Sequence, residues 1–194
     1  MTTSQLDRST SDQRLVLQGT WEHFKFIQRG FEAAPGAKLS YYKGTIEILM
    51  PGFQHENFSE IIGYLVTTFL LSRGIIFVPS GSMTQERDGF ASAQADKSFC
   101  LGEAKPIPDL SIEVIFTSGN TQKLERYQAL GVPEGWFCED GALVLYGLRE
   151  TGYERIDRSK LPGLDQLDIG LLKRCILMAE TDFPEAVRVF QQEI

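Results

Sequence analysis

A chain of 194 residues, 42% hydrophobic and 23% charged, is long enough to bury a substantial core and has the make-up of an ordinary globular domain. Its 19 basic residues are scattered and outnumbered by 26 acidic ones, leaving a net charge of −7. That excludes a protein that coats nucleic acid through a basic stripe. No apolar run approaches the ~18 residues of a membrane span, so no membrane partner is expected.

Residues 1–18 are polar and mixed in charge, without the apolar stretch of a secretory signal. Residues 1–15 are expected to form a flexible arm ahead of one domain over residues 16–194. Cys100, Cys138 and Cys175 are widely spaced and set among apolar neighbours, unlike a disulfide framework or a zinc site. Reduced thiols and a cytoplasmic location are the expectation.

The first periodic segment is 20–30, where Trp21, Phe24, Ile27 and Phe31 recur at helical spacing behind Thr20 as N-cap. Ala33-Ala34-Pro35-Gly36 ends it. Residues 38–42 and 45–50 form a hairpin about Lys43-Gly44, with Ile46 and Ile48 alternating against Glu47. The long helix lies over 54–73, with Phe58, Ile61, Ile62, Leu65, Phe69 and Leu70 as its apolar stripe and Gly74 closing it. Strands follow at 75–78, 82–86 and 94–101, with a turn at Asp88-Gly89, and then the most strand-like run of all at 109–116. A turn at Ser118-Gly119 leads to a helix over 121–130, stopped by Gly131. Residues 136–139 and 142–148 form a second hairpin about Asp140-Gly141. Helices over 167–178 and 183–192 complete the chain. Strands gathered in the middle and helices around them predict an α/β protein of the α+β type, with a central mixed sheet flanked by helices.

The chemistry centres on Pro108-Asp109-Leu110-Ser111-Ile112-Glu113-Val114. In a strand, Asp109, Ser111 and Glu113 share one face and Leu110, Ile112 and Val114 the other. A carboxylate on an apolar central strand is costly unless it is paired or bound to a metal. Asp109 and Glu113 stand about 13 Å apart along such a strand and cannot readily share one ion, whose ligands sit at about 2.1 Å. Glu113 therefore needs a carboxylate from a neighbouring strand, and Asp96 is the nearest in sequence. The plainer alternatives are a cap for Asp109, an ion pair for Glu113 and a solvated strand residue for Asp96. Phosphate-binding glycine loops, HExxH, CxxC and G-x-S-x-G are all absent, and His23 has no partner at metal-ligand spacing.

The run Asp109 to Glu113, with Lys123, Tyr127, Gly131-Val132-Pro133-Glu134 and Trp136, resembles the restriction endonuclease-like family of the PD-(D/E)xK nuclease superfamily. Gly44, Pro51, His55 and Leu161-Pro162-Gly163-Leu164 match it too, so the resemblance spans about residues 21–164. It implies the restriction-endonuclease-like fold and a Mg²⁺- or Mn²⁺-dependent endonuclease acting on DNA. Asp96 and Glu113 would be the metal ligands and Lys123 the catalytic lysine, displaced from the strand position held by Ile115. A single helical lysine is otherwise most often solvated, and the resemblance alone singles out Lys123. Asp109 would serve as an outer ligand, and His55 and Glu60 could face the substrate, although a helix-start residue and a solvated glutamate are equal alternatives. The chain departs from the pattern at Ala95, Ser40 and Phe116, where Pro, Glu and a small polar residue are expected. Those departures keep open a second class of function, a degenerate nuclease fold used as a binding or oligomerisation module. A symmetric homodimer could build a cleft that one chain lacks, with Phe31, Phe53, Phe90 or Trp136 as interface aromatics; burial is the default for each.

Overall fold

A computed structural model describes residues 11–32, 36–116 and 120–194. Two sheets carry the architecture. The first is antiparallel, in the order β1-β3-β2-β6-β5, built from β1 (Gln13–Gln18), β2 (Lys38–Tyr42), β3 (Thr45–Met50), β5 (Thr84–Arg87) and β6 (Ala91–Gln94). The second runs β11-β10-β9-β8-β7-β4, from β4 (Phe77–Pro79), β7 (Lys97–Leu101), β8 (Leu110–Ile115), β9 (Glu134–Glu139), β10 (Ala142–Arg149) and β11 (Gly152–Ile156). Only β8 and β9 pair in parallel, which makes this sheet mixed. The helices are α1 (Trp21–Phe31), α2 (Phe53–Ser72), α3 (Asn120–Leu130), α4 (Ile169–Ala179) and α5 (Phe183–Glu193). This is the α+β arrangement expected, with the sheet divided in two.

Local chemistry accounts for most of the elements. Thr20 caps α1 through its hydroxyl, which accepts from His23 N, while His23 Nδ1 accepts from Thr20 N in return. His23 is thus half of a capping box. Lys43-Gly44 and Asp140-Gly141 have positive φ at both positions, as a two-residue hairpin turn of type I′ requires. Asp168 and Asp182 cap α4 and α5. Every residue of β8 is buried, as befits a central strand covered on both faces.

Three apolar clusters hold the layers together. Leu110, Ile112 and Val114 of β8 pack with Ile62, Leu65 and Phe69 of α2 and with α4 and α5. On the opposite face, Ile115 and Phe137 join Tyr127, Leu130 and Val132 against Ala91 and Ala93 of the first sheet and Ala95 just after it. Phe24 of α1 closes over Leu39, Tyr41, Ile46 and Ile48. Fully burying each Leu, Ile, Val or Phe among them contributes roughly 1.5–3 kcal/mol.

Several boundaries differ from the sequence reading. Gln13–Leu15, assigned there to the arm, begin β1 and pair with β3, and Asp12 ahead of them bonds to Gly52 N and His55; residues 1–10 lie outside the described residues, as do Ala33-Ala34-Pro35 and the Ser118-Gly119 turn. The strand expected at 94–101 is two strands in different sheets, β6 and β7, and the chain crosses between them at Ala95-Asp96. β11 was not anticipated. Trp136 is fully buried and available to no interface, whereas Phe53 and Phe90 are exposed.

Candidate active site at the seam of the two sheets

The crossover at Ala95-Asp96 places Asp96 where the sheets meet. Lys97 pairs with Ile112, and Asp96 N donates to Ile112 O at 3.0 Å, so the ladder sets Asp96 beside Glu113. The two carboxylates, each 3% exposed, are the neighbouring-strand pair anticipated from the sequence. Leu110, Ile112 and Val114 point into the core, which directs Glu113 to the face covered by α3.

Each carboxylate oxygen has a partner. Lys123 Nζ donates to Glu113 Oε2 at 2.6 Å, and the Tyr127 hydroxyl donates to Glu113 Oε1. These residues are four apart on α3 and therefore on one face. Burial, and then the Glu113 charge, drive the Tyr127 phenol far above its ordinary range, so it remains a donor. Asp96 Oδ2 accepts from Val114 N at 2.6 Å, and Oδ1 is paired with Lys38 from β2. His55 Nε2 also lies 2.9 Å from Asp96 Oδ1, an ion-pair contact outside hydrogen-bonding geometry. Its Nδ1 is 2.9 Å from Asp12 Oδ2, and Asp12 Oδ1 accepts from Gly52 N ahead of α2.

The protonation states follow from these contacts. Burial opposes a charged His55, but the hydrogen bond to Asp12 and the charges of Asp96 and Asp12 outweigh it and lift the imidazole to about 9. Burial likewise opposes ionised Asp96, yet His55, Lys38 and Lys123 hold its carboxyl far below the usual range. For Lys38, the Asp96 carboxylate more than offsets burial and raises the ammonium.

A second carboxylate cluster adjoins the first. Glu47 of β3 is bound by Arg14 Nε at 2.8 Å and Arg126 Nη1 at 3.3 Å. Burial pushes its carboxyl up, but the charges of Arg126, Lys123 and Arg14 outweigh that and lower it. Ser40 lies directly across from Glu47 in the β2–β3 ladder and accepts from Arg126. Two cavities of about 10 Å³, each room for one water, lie here, and Glu47 and Lys123 line both. An open cleft of about 370 Å³, lined by Lys38, Glu56, Glu60, Gln94, Asp96 and Lys97, leads to the site from outside.

The structure therefore gathers Asp96, Glu113, Lys123 and His55, with Glu60 at the cleft wall. Glu60 is largely exposed and bound by Lys97 at 2.5 Å. Asp109 lies elsewhere, accepting from Leu101 N and Lys105 Nζ, each at 2.7 Å. Lys38, Asp12, Glu47, Arg14 and Arg126 were not singled out from the sequence. Glu47 alone gave a signal, as a charged residue within an alternating apolar strand.

Among the described residues no three His, Cys, Asp or Glu side chains gather as a metal-binding group. The donor set nevertheless fits a hard divalent cation. Mg²⁺ needs only one or two protein carboxylates, the rest coming from water and substrate phosphate. Asp96 and Glu113 supply two oxygens from adjacent strands, and the cations now on them, Lys38 and Lys123, sit on flexible stems. No described helix is long and apolar enough to cross a membrane.

A family model described as "Putative restriction endonuclease" (Uma2) matches residues 21–173. No curated protein matches the chain.

Proposed function

The chain belongs to the putative restriction endonuclease family, and from that premise we propose that it is a Mg²⁺- or Mn²⁺-dependent endonuclease that hydrolyses DNA phosphodiester bonds. The observation that carries the reading is the buried Asp96–Glu113 pair, side by side at the end of the cleft with Lys123 at 2.6 Å from Glu113. When bound there, a divalent cation supplies a Lewis acid for phosphate oxygen and lowers the pKa of a water.

The chain's own residues do the remaining work. Asp96 and Glu113 would hold the ion. Lys123, once released from Glu113, would place an ammonium against charge that develops on the phosphate. Tyr127 orients Glu113 by occupying one carboxylate oxygen. His55, held between Asp12 and Asp96, fixes the position of Asp96, which makes it a positioning residue rather than a substrate contact. Asp109, committed to Lys105 and Leu101 N, anchors the start of β8. We place the protein in the cytoplasm, with three buried unbridged thiols.

One observation favours a second reading. All four oxygens of Asp96 and Glu113 are already satisfied by protein donors, so the site is complete without an ion. A degenerate nuclease fold that serves as a binding module would look the same. Calorimetric titration with Mn²⁺, comparing the wild type with Glu113→Ala, separates the two. The endonuclease reading expects binding that disappears in the variant, together with metal-dependent nicking of plasmid DNA. If the wild type takes up no Mn²⁺, the degenerate reading replaces it.

A further inference from the structure

We infer that the protein assembles as a two-fold dimer through the outer edge of β1, which no other described strand pairs with, joined antiparallel to β1 of a second copy. The two sheets present four outer strands: β1, β5, β4 and β11. Open strand edges invite pairing and are normally guarded by charge, proline or shortness. β4 has three residues and ends at Pro79, β5 carries Glu86 and Arg87, and β11 carries Glu154 and Arg155. β1 has none of these in its centre. Leu15, Val16 and Leu17 are 51%, 45% and 37% exposed on a strand that pairs only with β3 among the described residues.

The sequence of β1 favours its own copy as the occupant. Antiparallel pairing about Val16 sets Leu15 against Leu17 of the second copy and Arg14 against Gln18. Apolar groups meet apolar groups, and no like charges stand opposite one another. The other three edges are guarded, so a heterologous edge-to-edge contact has no suitable acceptor. Pairing of β1 with itself uses the same patch twice and closes. The result is one continuous sheet with five strands from each copy.

This assembly bears on the seam. Asp12 and Arg14, which reach His55 and Glu47, lie at the start of the strand that would be paired. An open edge strand frays readily, and pairing on both sides holds these two residues against the site.

Sedimentation velocity on the full chain, over a dilution series from high to low micromolar, tests the inference. A species of twice the 21.8 kDa chain mass is expected, dissociating on dilution. Val16→Lys puts two ammonium groups at the axis, and a monomer with the native far-UV circular dichroism is expected. Amide exchange of residues 13–18 in the wild type should slow several-fold as the dimer fraction rises. This last readout decides the matter even if the variant does not fold. A wild type that stays monomeric throughout, a folded Val16→Lys that still dimerises, or exchange at 13–18 independent of the dimer fraction would each overturn the inference.

Discussion

Lys38 illustrates how a single residue can both stabilise a site and oppose its use. Its ammonium pairs with Asp96, whose side chain has no exposure at all, and so offsets a buried charge that would otherwise be destabilising. A divalent cation bound through Asp96 competes for the same oxygen. Lys38→Met should therefore lower the stability of the metal-free protein by about 2–4 kcal/mol and raise its Mn²⁺ affinity at the same time. Urea unfolding in chelator and calorimetry with Mn²⁺ give the two signs separately; a variant less stable and also weaker for Mn²⁺ would show that Lys38 helps build the ion site. Sequence alone could not pick out Lys38, because a lysine at the start of a strand looks solvated. Asp96 and Glu113 were legible because a charged residue inside an apolar strand needs a partner, and strand geometry says that Asp109 cannot be that partner. Arg126 was illegible for the opposite reason: its helix offers one face to solvent, and only the first sheet, where Ser40 and Glu47 receive its guanidinium, buries it.

At the scale of elements, the hairpins, the long helix and the two terminal helices were readable from period and turn chemistry. The misses share a cause. β1 has scarcely a buried residue, so it shows none of the alternation that marks a half-buried strand, and β11 carries a charged pair in mid-strand. The split of β6 from β7 leaves no glycine or proline at Ala95-Asp96, where the chain changes sheets through a single bend at Asp96. The tail Leu161-Pro162-Gly163-Leu164, noticed as a motif, has a mechanical role. Gly163 has φ 86°, and a Cβ there would fall 2.3 Å from Ile75 Cδ1, on the segment after α2. Gly163→Ala adds a left-handed backbone penalty to that overlap and should cost roughly 2–4 kcal/mol. A fall in the midpoint of thermal unfolding by several degrees is the expected result; an unchanged midpoint would mean that Ile75 moves aside freely and the backbone strain is absent.

Taken as a whole, the molecule concentrates its perturbed charges in the seam, and this sets how its stability varies with pH. Asp12, Glu47 and Asp96 all titrate below their ordinary values in the folded state. For Asp12, burial works against this, but the hydrogen bonds from His55 and Gly52 N prevail. A depressed carboxyl stabilises the fold above its unfolded pKa of about 4, and that contribution is lost as pH falls through the folded value. His55 behaves in the opposite sense. Its folded pKa of about 9 exceeds the unfolded value of 6.5, so its contribution is complete below 6.5 and disappears as pH rises through 9. That shift corresponds to stability on the order of 3 kcal/mol. Stability in chelator should therefore plateau between about pH 5 and 6.5 and decline on both sides. The decline toward pH 9 should vanish in His55→Gln, which keeps a polar group between Asp12 and Asp96 but has no proton to lose. Urea midpoints measured from pH 3 to 10 for both proteins test this. A wild type whose midpoint is flat or rising between 6.5 and 9 would show that His55 is neutral in the folded seam. Asp12 would then be held by a neutral imidazole and Gly52 N, and Asp96 and Glu113 by Lys38, Lys123, the Tyr127 hydroxyl and Val114 N.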